Sequence, residues 1–471
     1  MSDSVSKDPL HAALAAFGQE HLLAFWDGLD PAQRQSLAEQ IHELDLPLLQ
    51  RLTSHAHQAE DVRCLAARAA SPAAIRLDGS GLPISPSQAR QAGAETLAAG
   101  RVGVILVAGG QGTRLGFDHP KGMFPIGPVS GHSLFQIHIE KIRARSRRHG
   151  VRIPLYVMTS PATHAETAEF FAQHQRFGLS TEDLRLFCQG TMPAVDAQSG
   201  RILLQTPSSI FVSPDGHGGM LAALVRSGIL AEATRRGIEH FFYFQVDNPL
   251  VDIANEEFLG YHLLARSEMT TQVIAKTDPL EKVGNAVAID GRMRVLEYSD
   301  LPDDVAQRRH ADGSLAIWAG SIGVHAISAA FLARMADEAD ALPFHRASKK
   351  VPYVNAAGQQ VQPAQPNAIK FERFIFDLLP QAAGAIVVEV DAQRSFAPLK
   401  NTPGAAKDTP EAVRGQMLAL HGQWLQAAGA EVNTGVEVEI GPLFALDAAD
   451  VAKRVPLGTC FATNTFLTSD N

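Results

Sequence analysis

The sequence predicts an α/β protein: a Rossmann-like, mixed but mostly parallel central sheet flanked by helices, with a helical region before it and a small α+β module after it. Three observations carry this. From about residue 100, apolar strand-like runs alternate with amphipathic helical runs, the pattern of parallel strands joined by helical crossovers. The first of these runs, Val102–Val107, is uncharged and enters a glycine-rich turn. Upstream of it the apolar spacing is helical.

Taken in order, Leu22, Leu23, Trp26 and Leu29 form one helical stripe, and Leu37, Ile41 and Leu44 form a second, entered through Asp30-Pro31. Both stripes read as core packing. Strands follow at Val102–Val107 and 153–158, a helix at 161–174, a strand at Leu184–Cys188, a helical stretch at 220–236 and an aromatic-rich, uncharged strand at 241–246. Less regular strands at 272–276, 286–289 and 295–298 come next, the last two joined by the turn dipeptide Asp290-Gly291. The polar stretch 355–366 reads as a loop or hairpin. Val413, Met417, Leu420 and Trp424 share one face of a helix that stops at Gly429, and 436–440 alternates like a strand. The domain boundaries expected are 1–97, helical; 98–395, the α/β domain; and 396–471, a C-terminal module.

Composition bounds the function. The chain has 471 residues, 45% hydrophobic and 19% charged, with a formal net charge of −9. That is a globular balance, and the acidity argues against general nucleic-acid binding. A nucleotide site here needs local positive charge, which Arg114, Lys121 and Lys400 can supply. Cys64, Cys188 and Cys460 are far apart, with neither metal spacing nor a disulfide framework, as expected of a cytoplasmic protein. The opening residues have no apolar signal core, and no run is long enough to span a membrane. The sequence leaves the oligomeric state open.

From Leu106 to Met123 the chain reads Leu-Val-Ala-Gly-Gly-Gln-Gly-Thr-Arg-Leu-Gly-Phe-Asp-His-Pro-Lys-Gly-Met. Glycines let backbone N–H groups approach a phosphate, and several pointing inward form an anion nest. With Arg114 and Lys121 added, the segment predicts a polyphosphate ligand. It is neither common phosphate motif. The dinucleotide fingerprint fails because Leu115 stands at its third glycine, and the Walker A loop fails because Lys121 lies between Pro120 and Gly122. Ser133 and Gln136 read as a capping box for the next helix, whose end carries Arg143, Arg145, Arg147 and Arg148. That basic run reads as a solvated helix end complementing the macrodipole.

The Leu-x-x-Gly-x-Gly-Thr-Arg-Leu-Gly segment with its downstream Pro-Lys-Gly resembles the eukaryotic-type UDP-sugar pyrophosphorylases, and among them most the UDP-N-acetylhexosamine pyrophosphorylases. The resemblance runs from His21-Leu22-Leu23-Ala24-Phe25-Trp26 to Glu439-Ile440-Gly441-Pro442-Leu443. It implies the nucleotide-diphospho-sugar transferase type of fold.

Asp247, following a strand in Val-Asp-Asn, reads equally as a turn cap or a hard-cation ligand on spacing alone. The resemblance implies that it holds Mg2+. Gly109, Gly110, Gly112 and Thr113 match nucleotide-binding positions, and Gln189 matches the residue that reads the uracil edge. A side-chain amide offers the donor and acceptor a pyrimidine imide needs. Gly216 belongs to a loop that the family lays against base and sugar. His217, Gly284, Glu297 and Phe374 match sugar-side positions, and Lys400 matches a phosphate-binding lysine. Read without the resemblance, these residues are turn glycines, solvated charges and core aromatics.

Two positions depart from the N-acetylhexosamine pattern. His217 stands where that branch carries Asn and the glucose-1-phosphate branch carries His followed by Gly-Asp, so that His217-Gly218-Gly219 is a hybrid, and Ser321 begins a segment where the N-acetyl branch carries Asn. The expected reaction joins UTP and N-acetylglucosamine 1-phosphate, releasing pyrophosphate, with Arg114, Lys121 and Lys400 as catalytic cations. Glucose or galactose 1-phosphate is the alternative sugar. A non-catalytic nucleotide-sensing relative is a third reading, against which Arg114, Lys121, Asp247 and Lys400 are all retained. Neither a hydrolase elbow nor a histidine metal motif occurs.

Overall fold

The computed structural model describes residues 6–54, 62–338 and 341–469; most of the opening segment read for a signal core lies outside them. The described chain folds as two compact units. One is drawn from the chain up to residue 54, from Gly190–Gly219 and from Leu342–Ile375; the other takes the rest.

The first unit explains the N-terminal stripes. Leu22, Leu23, Trp26, Leu37 and Ile41 are buried in a core shared with Ile202, Leu204 and Phe371. Helical stripes near the N-terminus thus complete their core with residues up to about 350 positions away. The stripe at 22–29 is not an α-helix: it forms two short 3-10 turns, Glu20–Leu23 and Trp26–Gly28. Gly18, at φ 68°, and Gly28 bracket a run too short to repay helix nucleation. Pro31–His42 is an α-helix with a full capping box between Asp30 and Gln33. Strands His345–Lys349, Ala368–Glu372 and Val195–Asp196 make a small antiparallel sheet. The 355–366 region contributes to a hairpin that pairs Tyr353–Val354 with Gln360–Val361.

The second unit holds the predicted sheet. Its strands are β1 (Ala74–Ile75), β2 (Val102–Val107), β3 (Leu155–Thr159), β4 (Leu184–Cys188), β5 (His240–Gln245), β6 (Met269–Ala275), β7 (Gly284–Ile289), β8 (Arg292–Leu296), β9 (Ala319–Ser328) and β10 (Ile386–Glu389). The order is β1-β10-β6-β9-β5-β2-β3-β4, with β7 pairing both β8 and β9. β9 runs antiparallel to β5 and β6, while β5, β2, β3 and β4 are parallel. β2 and Phe241 to Phe244 of β5 are buried on both faces, which is why both read as continuous apolar runs. Asp290 and Gly291, at φ 51° and 77°, form the two-residue turn between β7 and β8.

Several local expectations need correction. The 220–236 stretch is two helices, Gly219–Arg226 and Ile229–Arg235, broken at Gly228 with φ 72°. Only half of the predicted box at Ser133 forms. Ser133 Oγ accepts from Gln136 N at 3.2 Å, but the Gln136 amide donates to Glu140 instead. The basic run ending helix Leu134–His149 is not a solvated face either. Arg145 is 2% exposed and pairs with Asp252 and Glu256, while Arg148 pairs with Asp447 and Asp450. Long-range carboxylates, invisible to local spacing, make these arginines structural ties.

The final segment packs its own small core, including Leu425, Val438, Ile440, Phe444 and Val451. Among the described residues no helix is long and apolar enough to cross a membrane.

Candidate active site

The topology marks one place for a ligand. From β2 the chain builds outward to β3 and β4, then returns to place β5 on the other side of β2. In open α/β sheets the crevice beyond the carboxyl ends of strands at such a reversal is where ligands bind. The glycine loop leaves β2 there, and Asp247 leaves β5 there. Val107 and Gln245 are paired across the two strands, which sets both features side by side.

The loop is a backbone anion nest. Gly112 N donates to His119 O at 2.8 Å and Lys121 N to Gly110 O at 3.1 Å, closing the loop on itself. The N–H groups of Gly110, Gln111, Thr113 and Arg114 are left without a hydrogen-bond partner among the described residues. The next α-helix begins only at Leu134, so the donors are loop amides rather than a helix terminus.

Gly112 is required by close approach, and Gly109 is crowded by it. A Cβ on Gly109 would lie 2.8 Å from Gln189 Oε1 and 3.3 Å from Ser160 N. One on Gly112 would lie 2.7 Å from Phe117 O. Gly110 faces open space. Gln189, 6% exposed, is thus brought against the loop.

The charged residues converge. Lys121 Nζ lies 3.9 Å from Asp247 Oδ2 and donates to Leu399 O at 3.2 Å. Burial pushes the Lys121 pKa down, Asp247 pulls it back up, and Lys400 and Arg114 push it down again. Lys121, Asp247, Arg114 and Lys400 therefore share one electrostatic environment, although Lys400 comes from a segment about 150 residues beyond Asp247.

Asn248 explains how. Its Oδ1 accepts from Ala397 N at 3.1 Å, its Nδ2 donates to Ser395 O at 2.8 Å, and Leu399 N donates to Asp247 O at 2.8 Å. Asn248, by spacing only the neighbour of Asp247 in Val-Asp-Asn, thus pins the segment carrying Lys400. Ser160, also missed, donates from Oγ to Gly109 O at 2.7 Å and holds the loop backbone. Neither belongs to a motif with a recognisable spacing.

Gly284 and Glu297 meet on the paired strands. A Cβ on Gly284 would lie 3.6 Å from Glu297 Oε1 and 4.0 Å from Ser321 Cβ. Gly284 pairs with Ser321, and Gly323 of the same strand approaches Gln245 Nε2, two residues before Asp247.

Within the other unit, Gly216, His217 and Phe374 form their own cluster. Gly216, at φ 83°, has no room for a Cβ, which would lie 2.4 Å from Arg373 O. Gly218 and Gly219 are equally confined, by the Arg373–Phe374 backbone and by the Asp215 carboxylate. Packing thus demands the Gly-Gly that follows His217. The His217 ring lies 5.3 Å from that of Phe374, and His217 Nδ1 accepts from Ile375 N at 3.2 Å. Burial, then nearby His345, pushes the His217 pKa down to about 4, so the ring is neutral at ordinary pH. Phe376, the first residue of the sheet-bearing unit after this segment, is buried.

A mostly parallel sheet with a reversal at β2, a loop of free amides and a facing carboxylate make an α/β fold with one candidate ligand crevice. The family described as UTP–glucose-1-phosphate uridylyltransferase matches residues 48–421. A human protein named UDP-N-acetylhexosamine pyrophosphorylase-like protein 1 is 37% identical over 442 residues, covering 90% of this chain and 86% of its own. The Saccharomyces cerevisiae UDP-N-acetylglucosamine pyrophosphorylase is 39% identical, covering 74% of each. Among solved structures, the Trypanosoma brucei uridine diphosphate N-acetylglucosamine pyrophosphorylase aligns over the whole of both chains at TM-score 0.80 and 26% identity. One from Entamoeba histolytica aligns at 0.73 and 32%, covering 81% of this chain and 95% of its own. The chain belongs to the UTP–glucose-1-phosphate uridylyltransferase family, and within it is a nucleotidyltransferase of the UDP-sugar pyrophosphorylase type.

Proposed function

We propose that this enzyme joins UTP and N-acetylglucosamine 1-phosphate to give UDP-N-acetylglucosamine and pyrophosphate. The single observation that carries the reaction class is the meeting of the amide nest, Lys121 and Asp247 at the strand reversal. The N-acetyl sugar is supported by the names of the relatives that match most of the chain.

A phosphate oxygen of the sugar phosphate attacks the α-phosphorus in line. A new P–O bond forms there as the bond from the α-phosphorus to the β-bridging oxygen breaks, and pyrophosphate leaves with that electron pair. The attacking oxygen is already anionic, so no protein nucleophile is needed. Catalysis is positioning plus charge stabilisation.

In this reading the amides around Gly109, Gly110, Gly112 and Thr113 cradle the phosphates, and Gln189 reads uracil. Arg114 and Lys121 offset the charge developing on pyrophosphate, and Lys400 steadies the sugar phosphate or α-phosphate. Gly216, His217, Gly284, Glu297 and Phe374 take the base and sugar roles the resemblance assigns. The segment 98–395 is the catalytic domain on this account, with 1–97 and 396–471 supporting it.

The donor set fits magnesium. Among the described residues no group of three or more metal-ligating side chains occurs, and Asp247 offers one carboxylate. Mg2+ prefers one or two carboxylates, with substrate phosphates and water completing its octahedron. Bound there, it would neutralise phosphate charge; Lys121 and Arg114 share that task from the protein side.

His217 favours a second reading for the sugar, glucose or galactose 1-phosphate. The test is a panel of sugar 1-phosphates with UTP and Mg2+, scored by pyrophosphate release. Preference for N-acetylglucosamine 1-phosphate is expected. A preference for glucose 1-phosphate selects the second reading, and no release with any sugar defeats the transferase assignment.

A further inference from the structure

The helix that follows the glycine loop, Leu134–His149, carries His138, Lys141 and Arg145. Spaced three and four apart, they lie along one helical face. Each reaches a backbone carbonyl of the buried segment leaving β5. His138 Nε2 contacts Val246 O at 3.0 Å. Lys141 Nζ donates to Pro249 O at 2.6 Å and Val251 O at 2.9 Å. Arg145 Nε donates to Ile253 O at 3.3 Å, while its guanidinium pairs with Asp252 and Glu256.

A carbonyl only accepts, so His138 Nε2 must carry the proton. His138 Nδ1 has no partner in the buried core, and an imidazolium would strand a second N–H there. Burial accordingly pushes the His138 pKa down to about 3, and the ring is a permanent neutral donor. Val246 O belongs to the peptide immediately before Asp247, and Asp247 O is held from the other side by Leu399 N. Both peptides flanking Asp247 are therefore fixed, leaving its carboxylate only side-chain torsions.

We infer that His138, Lys141 and Arg145 form a row of positioning residues that aims the Asp247 carboxylate at the divalent cation. The inference rests on the Asp247 assignment above. None of the three touches substrate; they act through the backbone of 246–253. Groups that orient a metal ligand typically change metal affinity by about 10–100-fold when removed.

The test compares His138→Leu, which deletes the donor, with His138→Gln, whose amide N–H can reach the same carbonyl. Mn2+ binding to the full chain with UTP present is measured by electron paramagnetic resonance, and half-saturating Mg2+ by pyrophosphate release. Expected for His138→Leu is weakening of both by about tenfold or more, with the KM for sugar phosphate unchanged and His138→Gln restoring most of the loss. If His138→Leu does not fold, Lys141→Met gives the same reading. Wild-type Mn2+ affinity in a folded His138→Leu or Lys141→Met, while Asp247→Asn loses it, overturns the positioning row. Wild-type Mn2+ affinity in Asp247→Asn overturns instead the assignment on which it rests.

Discussion

The Lys121 ammonium stands 3.9 Å from the Asp247 carboxylate, although the two residues leave different strands more than a hundred positions apart. Each offsets the charge of the other; on the proposed function, nucleotide binding would turn Lys121 to phosphate and Asp247 to the cation. The proposed phosphate site brings this pair together with the loop amides.

Removing the cation tests this directly. Lys121→Met should lower turnover on the order of 10²–10³-fold, as for a donor aimed at developing charge. The lysine pKa is depressed by burial, so its proton leaves at lower pH than that of a free lysine. Rate should therefore fall as pH rises through that depressed value. Lys121→Arg, which stays charged, should retain part of the activity and move the alkaline limb upward. An alkaline limb identical in both proteins would remove Lys121 as its source.

Neighbouring glycines should behave differently. Gly109→Ala places a methyl 2.8 Å from Gln189 Oε1, costing about 1–3 kcal/mol of stability and raising the KM for UTP. Gly110→Ala meets nothing within 4 Å and should melt like the wild type. It should nevertheless weaken UTP, since the open space beside it is where phosphate is expected. Thermal melts with a UTP titration check both; unaltered UTP affinity in Gly110→Ala would take the phosphates elsewhere.

His217→Asn keeps an oxygen able to accept from Ile375 N. It should raise the ratio of N-acetylglucosamine to glucose 1-phosphate turnover by about tenfold. Because the wild-type ring titrates at about 4, its own ratio should not change between about pH 6 and about pH 8. Competition assays with the two sugars read both, and an unshifted ratio would remove His217 from sugar selection.

Buried histidines set the acid limit of stability. His138, His262 and His421 are pushed down to about 3, and His217 to about 4, each chiefly by burial. Unfolded, each would take up a proton near pH 6.5. Between those values the unfolded chain binds more protons, so stability is full above about 6.5 and falls as pH drops below it. The expected slope approaches 1.4 kcal/mol per pH unit for each group well inside the window. Melting temperatures at about pH 7.5 and about pH 5 measure it before most carboxylates titrate. Equal or higher melting at the acidic end would contradict it.

Much of the fold was legible because periodicity is local. Val102–Val107 and Leu184–Cys188 occur where their apolar runs lie, and Asp290-Gly291 turns where a two-residue hairpin is needed. The arginines of 143–148 were misread because a charge run looks solvated until its partners, up to about 300 residues away, are known. Asn248 and His138 were missed because a single polar side chain bonding a remote backbone leaves no spacing in the sequence.

Sequence alone determined most of the strand and helix inventory and the glycine loop with its neighbouring cations. Each follows from interactions within a few positions. Tertiary structure alone decided that β5 returns beside β2, that Leu399 bridges Lys121 and Asp247, and that the first unit is assembled from three separated segments. Those outcomes depend on which buried faces and unpaired backbone groups satisfy one another across the whole chain, and local pattern does not carry that information.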